Sequence, residues 1–193
     1  MSTENQSVCA VVVAAGSSRR MGGENKLLLP LCGKPVLAHT LTAFQMCGAV
    51  RDIVLVCREQ DMEVYRTLAA ENGITKLRTL TRGGDTRTES VLAGVSAASE
   101  ACALVAVHDG ARPLVSDEVI TQAVAEAAKT GAAAPVVPVK DSIKRIENGK
   151  IAADVPRDTL AAVQTPQVFR RDMLLHALLD AAANGRSFTD ECA

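Results

Sequence analysis

The sequence predicts a three-layer α/β fold built on a mostly parallel sheet, and three observations predict it. Short apolar runs recur at 8–13, 52–57, 103–107 and 132–139, with a weaker one near 77–80. They are valine-rich and nearly continuous, the pattern of strands covered on both faces. Longer helical patterns separate them, which is βαβ alternation. Finally, the loops after the strands carry glycine, charge or hydroxyl, while the strand starts are plain.

The helices have their own punctuation. Pro35 opens and Gly48 closes a helix at 35–47. Thr86 and Glu89 make a T-x-x-E capping box at the head of 87–98. Ser116 caps a helix that runs to Lys129, with Asp117 and Glu118 where the helix dipole favours acid. The last helix, 172–183, stops at Asn184-Gly185. Between Lys140 and Val163 the alternation breaks. Asn148-Gly149 there is a hairpin signal between SIKRI and KIAAD. Such a projecting β-arm is either a surface flap or a dimer arm.

A chain of 193 residues, 48% of them hydrophobic, suits a single domain over 1–193. Its net charge of −1 provides no global attraction to nucleic acid or an anionic membrane. Three phenylalanines, one tyrosine and no tryptophan leave few platforms on which a nucleic-acid strand could stack. No apolar run approaches the ~20 residues that span a bilayer. Six cysteines without C-x-x-C spacing read as the reduced thiols of a cytoplasmic protein.

Ligands of open α/β sheets bind beyond the carboxyl ends of the strands. Four loops are therefore expected to converge: Ala14 to Arg20, Arg82 to Asp85, His108 to Pro113 and Lys140 to Ser142. The first is neither a Walker A loop nor a dinucleotide fingerprint. Its small residues Ala14, Ala15, Gly16, Ser17 and Ser18 let a ligand approach the backbone. Arg20 can fork onto phosphoryl oxygens, and Lys26 adds a point charge. Asp109 needs a partner or a metal after its buried strand. Either Arg112 pairs with it, or Mg²⁺ binds through it and substrate phosphates. Asp85 is either the cap of the helix at 87–98 or an acceptor for a ribose. Gly83-Gly84 beside it leave room for a sugar or base.

Read together, AAGSSRRM with Lys26, GGDTRTESV, VHDGARP, PVKDSIKR, QTPQVF and TDE resemble the motifs of one family. This is the 2-C-methyl-D-erythritol 4-phosphate cytidylyltransferases, nucleotidyltransferases with a Rossmann-like fold. The resemblance covers residues 8 to 193. It implies cytidylyl transfer from CTP to a polyol phosphate, with Mg²⁺ as cofactor and release of pyrophosphate. It implies that Arg20, Lys26 and Arg157 are catalytic. Nucleotide contacts fall on Ala14 to Ser18, Gly84, Asp85, Ser90 and Gly110, and the metal on Asp109. Arg112, Ser142 and Thr165 fall where the family holds the acceptor. A homodimer joined through the 140–163 arm is implied as well.

Three positions depart from the family pattern: Ser18 for glycine, Asn25 for proline and Ser142 for threonine. The family continues past the equivalent of Ala193 with a segment supplying a second metal carboxylate and a lysine. The sequence is thus expected to lack that segment, as a truncation or as an impaired, non-catalytic nucleotide-binding module. Ribitol 5-phosphate is the alternative acceptor, since cytidylyltransferases for the two polyol phosphates share most motifs.

Overall fold

A computed structural model of the chain describes residues 7–16 and 24–192. Its centre is a six-stranded sheet whose order is β5-β4-β1-β6-β12-β7, the last two being Gln167–Arg170 and Ala132–Ala133. The first four are parallel: β1 (Val8–Val13), β4 (Val50–Cys57), β5 (Leu77–Arg82) and β6 (Leu104–Asp109). They are the valine-rich runs, and alternation along β1 shows why they needed no polar face. Ala10 and Val12 pack into a core cluster on one face, Cys9 and Val11 into another on the opposite face, and Val8 into a third.

Helices α1 (Val36–Met46) and α2 (Met62–Glu71) cover the first face, joined by α4 (Asp117–Thr130). Their contribution includes Leu37, Leu41, Phe44, Tyr65 and Ile120, all fully buried. Helices α3 (Arg87–Ala97) and α5 (Arg171–Ala183) cover the second through Val91, Val95, Leu174 and Leu178. Each such side chain removed from water contributes about 1.5–3 kcal/mol before entropy is counted. Helix α3 lies against the sheet at Gly94. A Cβ there would meet Val11 Cγ1 at 2.4 Å and Val56 Cγ2 at 2.7 Å.

The expected caps form. Thr86 and Glu89 make the reciprocal capping box, and Ser116 Oγ accepts the Val119 amide. Gly131 ends α4 in the left-handed region, φ +93°. No helix among the described residues is long and apolar enough to cross a membrane.

The strand expected at 132–139 does not form as one. Ala132–Ala133 (β7) pairs antiparallel with β12 (Gln167–Arg170) at the sheet edge. Val136–Pro138 (β8) leaves the sheet and pairs instead with β11 (Ala161–Val163). Pro135 and Pro138 lack the N–H a central ladder needs, and Val136 and Val137 are half-exposed, at 56% and 45%. Beyond it, β9 (Ile143–Glu147) and β10 (Lys150–Val155) make the hairpin, with Asn148 and Gly149 at φ +50° and +77°. A small ribbon, β2 (Pro30–Leu31) with β3 (Lys34–Pro35), precedes α1. The sequence reading bounded neither that ribbon, nor α2, nor β12.

Candidate active site

The carboxyl ends of β1, β4, β5 and β6 open on a cleft of about 1010 Å³. Val13–Gly16, Lys26, Leu27, Arg58–Gln60, Arg82–Arg87, Ser90 and Asp109–Arg112 line it. Three of the four loops expected to converge do so. The fourth wall comes from Arg58–Gln60 after β4, because Lys140–Ser142 follows a segment that has left the sheet.

Backbone bonds continue past the strand ends and stitch the cleft floor. The Ala14 amide donates to Val56 O at 2.7 Å, Gly83 to Cys57 O at 3.0 Å and Gly110 to Val13 O at 2.9 Å. Thr40 Oγ1 donates to Gly110 O at 2.8 Å. Ala14 and Gly110 therefore shape the floor, with their amides already committed. The amides of Ala15 and Gly16 bond to no described residue. At Gly83 a Cβ would come within 2.6 Å of Ala15 Cβ and 2.8 Å of Ser90 Oγ, so the loops after β1 and β5 touch there.

At Gly84 a Cβ would overlap the Glu89 side chain, at 2.3 Å from its Cβ. That carboxylate folds back to accept the Asp85 amide at 2.7 Å and the Thr86 amide at 3.1 Å. Thr86 is the cap of α3, so Asp85 is not, and Asp85 lines the cleft. Ser90, 3% exposed, donates its hydroxyl to Thr86 O at 2.9 Å.

Charge in the cleft is unbalanced. Five lining cations, Lys26, Arg58, Arg82, Arg87 and Arg112, face three carboxylates, Glu59, Asp85 and Asp109. Four of the cations are paired: Arg58 with Asp61 at 2.6 Å, Arg82 with Glu59 at 3.4 Å, and Arg87 and Arg112 with Asp109 at 3.2 and 2.9 Å. Among the described residues Lys26 has no carboxylate partner. A cleft whose lining cations outnumber its carboxylates favours an anionic ligand.

Behind the cleft, two networks tie the motifs together. Arg87 Nη2 meets Glu191 at 2.9 Å, and its Nε donates to Thr189 O at 3.1 Å. The Glu191 amide donates to Gln167 Oε1 at 2.8 Å. Burial pushes the Glu191 carboxyl up to about 7, against the pull of Arg87. Fully buried His108 joins the Arg112 carbonyl through Nε2 at 3.1 Å and Thr165 Oγ1 through Nδ1 at 2.9 Å. A carbonyl only accepts, so the neutral ring donates from Nε2 and accepts the threonine hydroxyl at Nδ1. Burial takes its pKa down to about 4. The Arg112 guanidinium also reaches Gln164 Oε1. These contacts follow from the β12–β6 pairing, which sets Gln167 beside Val107.

Thr165 thus lies buried beneath the Asp109–Arg112 loop. Ser142 and Arg157 are exposed on the arm, and Arg157 donates to Lys140 O at 2.6 Å. None of these three lines the chain's own cleft. Ser17, Ser18 and Arg20 lie outside the described residues. Sequence reasoning missed Arg58, Glu59, Gln60, Arg87 and Glu191. Arg87 and Glu191 already sit within GGDTRTESV and TDE, and Arg58 directly follows a strand.

Fold and cleft define an α/β protein with a cation-rich polar cleft at the carboxyl edge of its mostly parallel sheet. Residues 8–193 match the model of the 2-C-methyl-D-erythritol 4-phosphate cytidylyltransferase family, and the chain belongs to that family. A protein of that name from Dehalococcoides mccartyi is 43% identical over 174 residues, which is 90% of this chain and 76% of the relative. Another from Bacillus licheniformis is 43% identical over 182 residues, covering 94% and 78%. The crystal structure of 4-diphosphocytidyl-2C-methyl-D-erythritol synthase from Anaerococcus prevotii is similar with a TM-score of 0.86 at 26% identity. That likeness covers 98% of this chain and 81% of the other. The cytidylyltransferase structure from Thermus thermophilus gives 0.73 at 30% identity, covering 95% and 80%.

Proposed function

We propose that the cleft transfers a cytidylyl group from CTP to 2-C-methyl-D-erythritol 4-phosphate. A phosphate oxygen of the acceptor bonds to the α-phosphorus of CTP as the bond to the departing pyrophosphate breaks. The observation that carries this reading is the cleft itself. It combines the amides of Ala15 and Gly16 after β1 with Lys26, none of which has a partner among the described residues, in a chain whose family performs this transfer. Little covalent work falls to a protein in such a reaction; positioning and charge stabilisation do most of it.

Lys26, with Arg20, holds the triphosphate and stabilises charge on the transferring group. The amides of Ala15 and Gly16 approach the same phosphates. The surface of Gly83 and Gly84, with Asp85 and Ser90, holds the nucleoside. Arg112 orients the acceptor phosphate from the other wall.

Among the described residues no three His, Cys, Asp or Glu side chains cluster as a metal site. Mg²⁺ is commonly held by one carboxylate plus substrate phosphates and water. Asp109, one-third exposed at the cleft, suits that role. Bound there, the ion would supply charge neutralisation to the phosphates. Arg87 and Arg112 hold the two carboxylate oxygens in place at the cleft wall.

The arm supports a homodimer. Val136, Val137, Ile146, Ile151 and Val163 expose apolar surface, and Ile146 and Ile151 are cross-strand neighbours. A second copy would cover them and accept Ser142 and Arg157 at its cleft. Buried, reduced Cys9, Cys47, Cys57 and Cys102 fit a cytoplasmic protein.

Pyrophosphate release with CTP, Mg²⁺ and methylerythritol phosphate tests the function. Release should require all three, and ribitol 5-phosphate should compete poorly. CTP binding without any turnover would overturn the reading, and preferred use of ribitol 5-phosphate would replace the acceptor. Sedimentation of the chain with and without residues 143–155 tests the dimer. A monomeric intact chain would refute it.

A further inference from the structure

At Lys26 and Leu27 the chain passes from the cleft into the core. On one side Leu27 is 4% exposed and belongs to the core cluster of α1 and α2. Its carbonyl accepts the Leu37 amide at 3.0 Å. On the other side stands Asn25, and every polar group of its side chain is engaged. Oδ1 accepts the Leu27 amide at 3.2 Å, closing a turn over Lys26. Nδ2 donates to Tyr65 Oη at 2.9 Å. The Asn25 carbonyl accepts the Leu28 amide at 2.9 Å.

Tyr65 is the anchor of this arrangement. It is the only tyrosine in the chain, sits on α2 and is fully buried in the same cluster as Leu27. It does not line the cleft. A phenol in such surroundings needs a partner for its oxygen, and Asn25 is that partner. Burial pushes its pKa up to about 12, so it remains a neutral hydroxyl. A lysine is a point charge on a flexible stem. Its charge acts best on a phosphate when its backbone is already in place.

We propose that Tyr65 and Asn25 form a clasp that positions Lys26 for the nucleotide phosphates, with Tyr65 a positioning residue that never meets substrate. This rests on the reading of the cleft as a CTP site. Tyr65 holds Asn25, Asn25 holds the turn, and the turn holds the Lys26 backbone between two pinned neighbours. The α2 helix is thereby coupled to the phosphate end of the cleft.

The test uses the full chain, CTP with Mg²⁺ in calorimetry, and amide hydrogen exchange. Tyr65→Phe removes only the hydroxyl. It should weaken CTP binding roughly three- to tenfold, the range of one lost hydrogen bond, and speed exchange at the Leu27 and Leu28 amides. Asn25→Ala, on a half-buried loop residue, should do the same and serves if the tyrosine variant folds poorly. In a Lys26→Ala background Tyr65→Phe should cost nothing further, a non-additivity that a merely structural role would not produce. Equal CTP affinity for Tyr65→Phe and the unaltered chain, or a full additive loss in the double variant, would overturn the clasp. If Lys26→Ala leaves CTP affinity unmoved, the reading of the cleft fails and the inference with it. If Lys26→Ala weakens binding and Tyr65→Phe does not, the inference fails alone.

Discussion

Arg87 Nη1 lies 3.2 Å from Asp109 Oδ1, bridging the first residue of α3 and the last of β6. Arg112 holds the other oxygen at 2.9 Å. The carboxylate is thus a shared counter-ion for two guanidinium groups, and its charge matters more than its shape. Asp109→Asn should shift the Mg²⁺ titration of pyrophosphate release about tenfold or more upward, as for loss of a charge-assisted contact. An unaltered titration would leave Asp109 as the partner of two arginines and nothing else.

Lys26 and Arg20 are expected to act on the transition state. Lys26→Ala and Arg20→Ala should each lower kcat by about 10²-fold or more, the usual cost of one preorganised charge donor. Lys26 is exposed and has no carboxylate partner among the described residues, so the melting temperature of its variant should hardly move. Single-turnover rates beside a thermal melt separate the two effects.

Two glycines should divide stability from binding. Gly94→Ala drives a methyl into Val11 and Val56 beneath α3, and should destabilise by roughly 1–3 kcal/mol. Gly83→Ala presses on Ala15 Cβ and Ser90 Oγ, both at the cleft. It should weaken CTP binding with a smaller loss in denaturant midpoint. Equal stability losses from both would show that the Gly83 contact belongs to the core.

Opposed pH dependences are built into His108 and Glu191. Burial lowers the His108 pKa from 6.5 to about 4, so the unfolded chain binds more protons between those values. That contribution to stability is present above pH 6.5 and is lost as the pH falls. Burial raises the Glu191 pKa from 4.5 to about 7. Its contribution is present below pH 4.5 and is lost as the pH rises to about 7. The two slopes offset one another between pH 4.5 and 6.5. Glu191→Gln should therefore make stability rise with pH across this window, and His108→Gln should make it fall. Urea titrations at a series of pH values read both signs; matching slopes in the two variants would contradict the assignment.

Much of this protein was legible in the sequence because its signals are local. Valine runs, the Thr86–Glu89 box, the Ser116 cap and the Asn148-Gly149 turn each specify a conformation from residues that are neighbours in the chain. So do the loop residues at the ends of β1, β5 and β6, since parallel strands put all their outgoing loops on one edge. The segment 132–139 misled because a valine run reads the same in a sheet and on an arm. Its prolines and its antiparallel partners decided the matter.

By itself the sequence determined the layered α/β fold, the edge of the sheet on which the strand-end loops gather and the motifs of its family. Only the tertiary structure decided that Arg87 joins Asp109 to Glu191, more than a hundred residues along the chain from its guanidinium. It likewise decided that His108 lies beneath Thr165, that Arg58–Gln60 complete the cleft, and that Tyr65 reaches Asn25. The physical reason is the same in each case. Propensity and patterning act over a few residues, whereas the partner of a buried polar group is whichever group the packing of sheet and helices brings within about 3 Å.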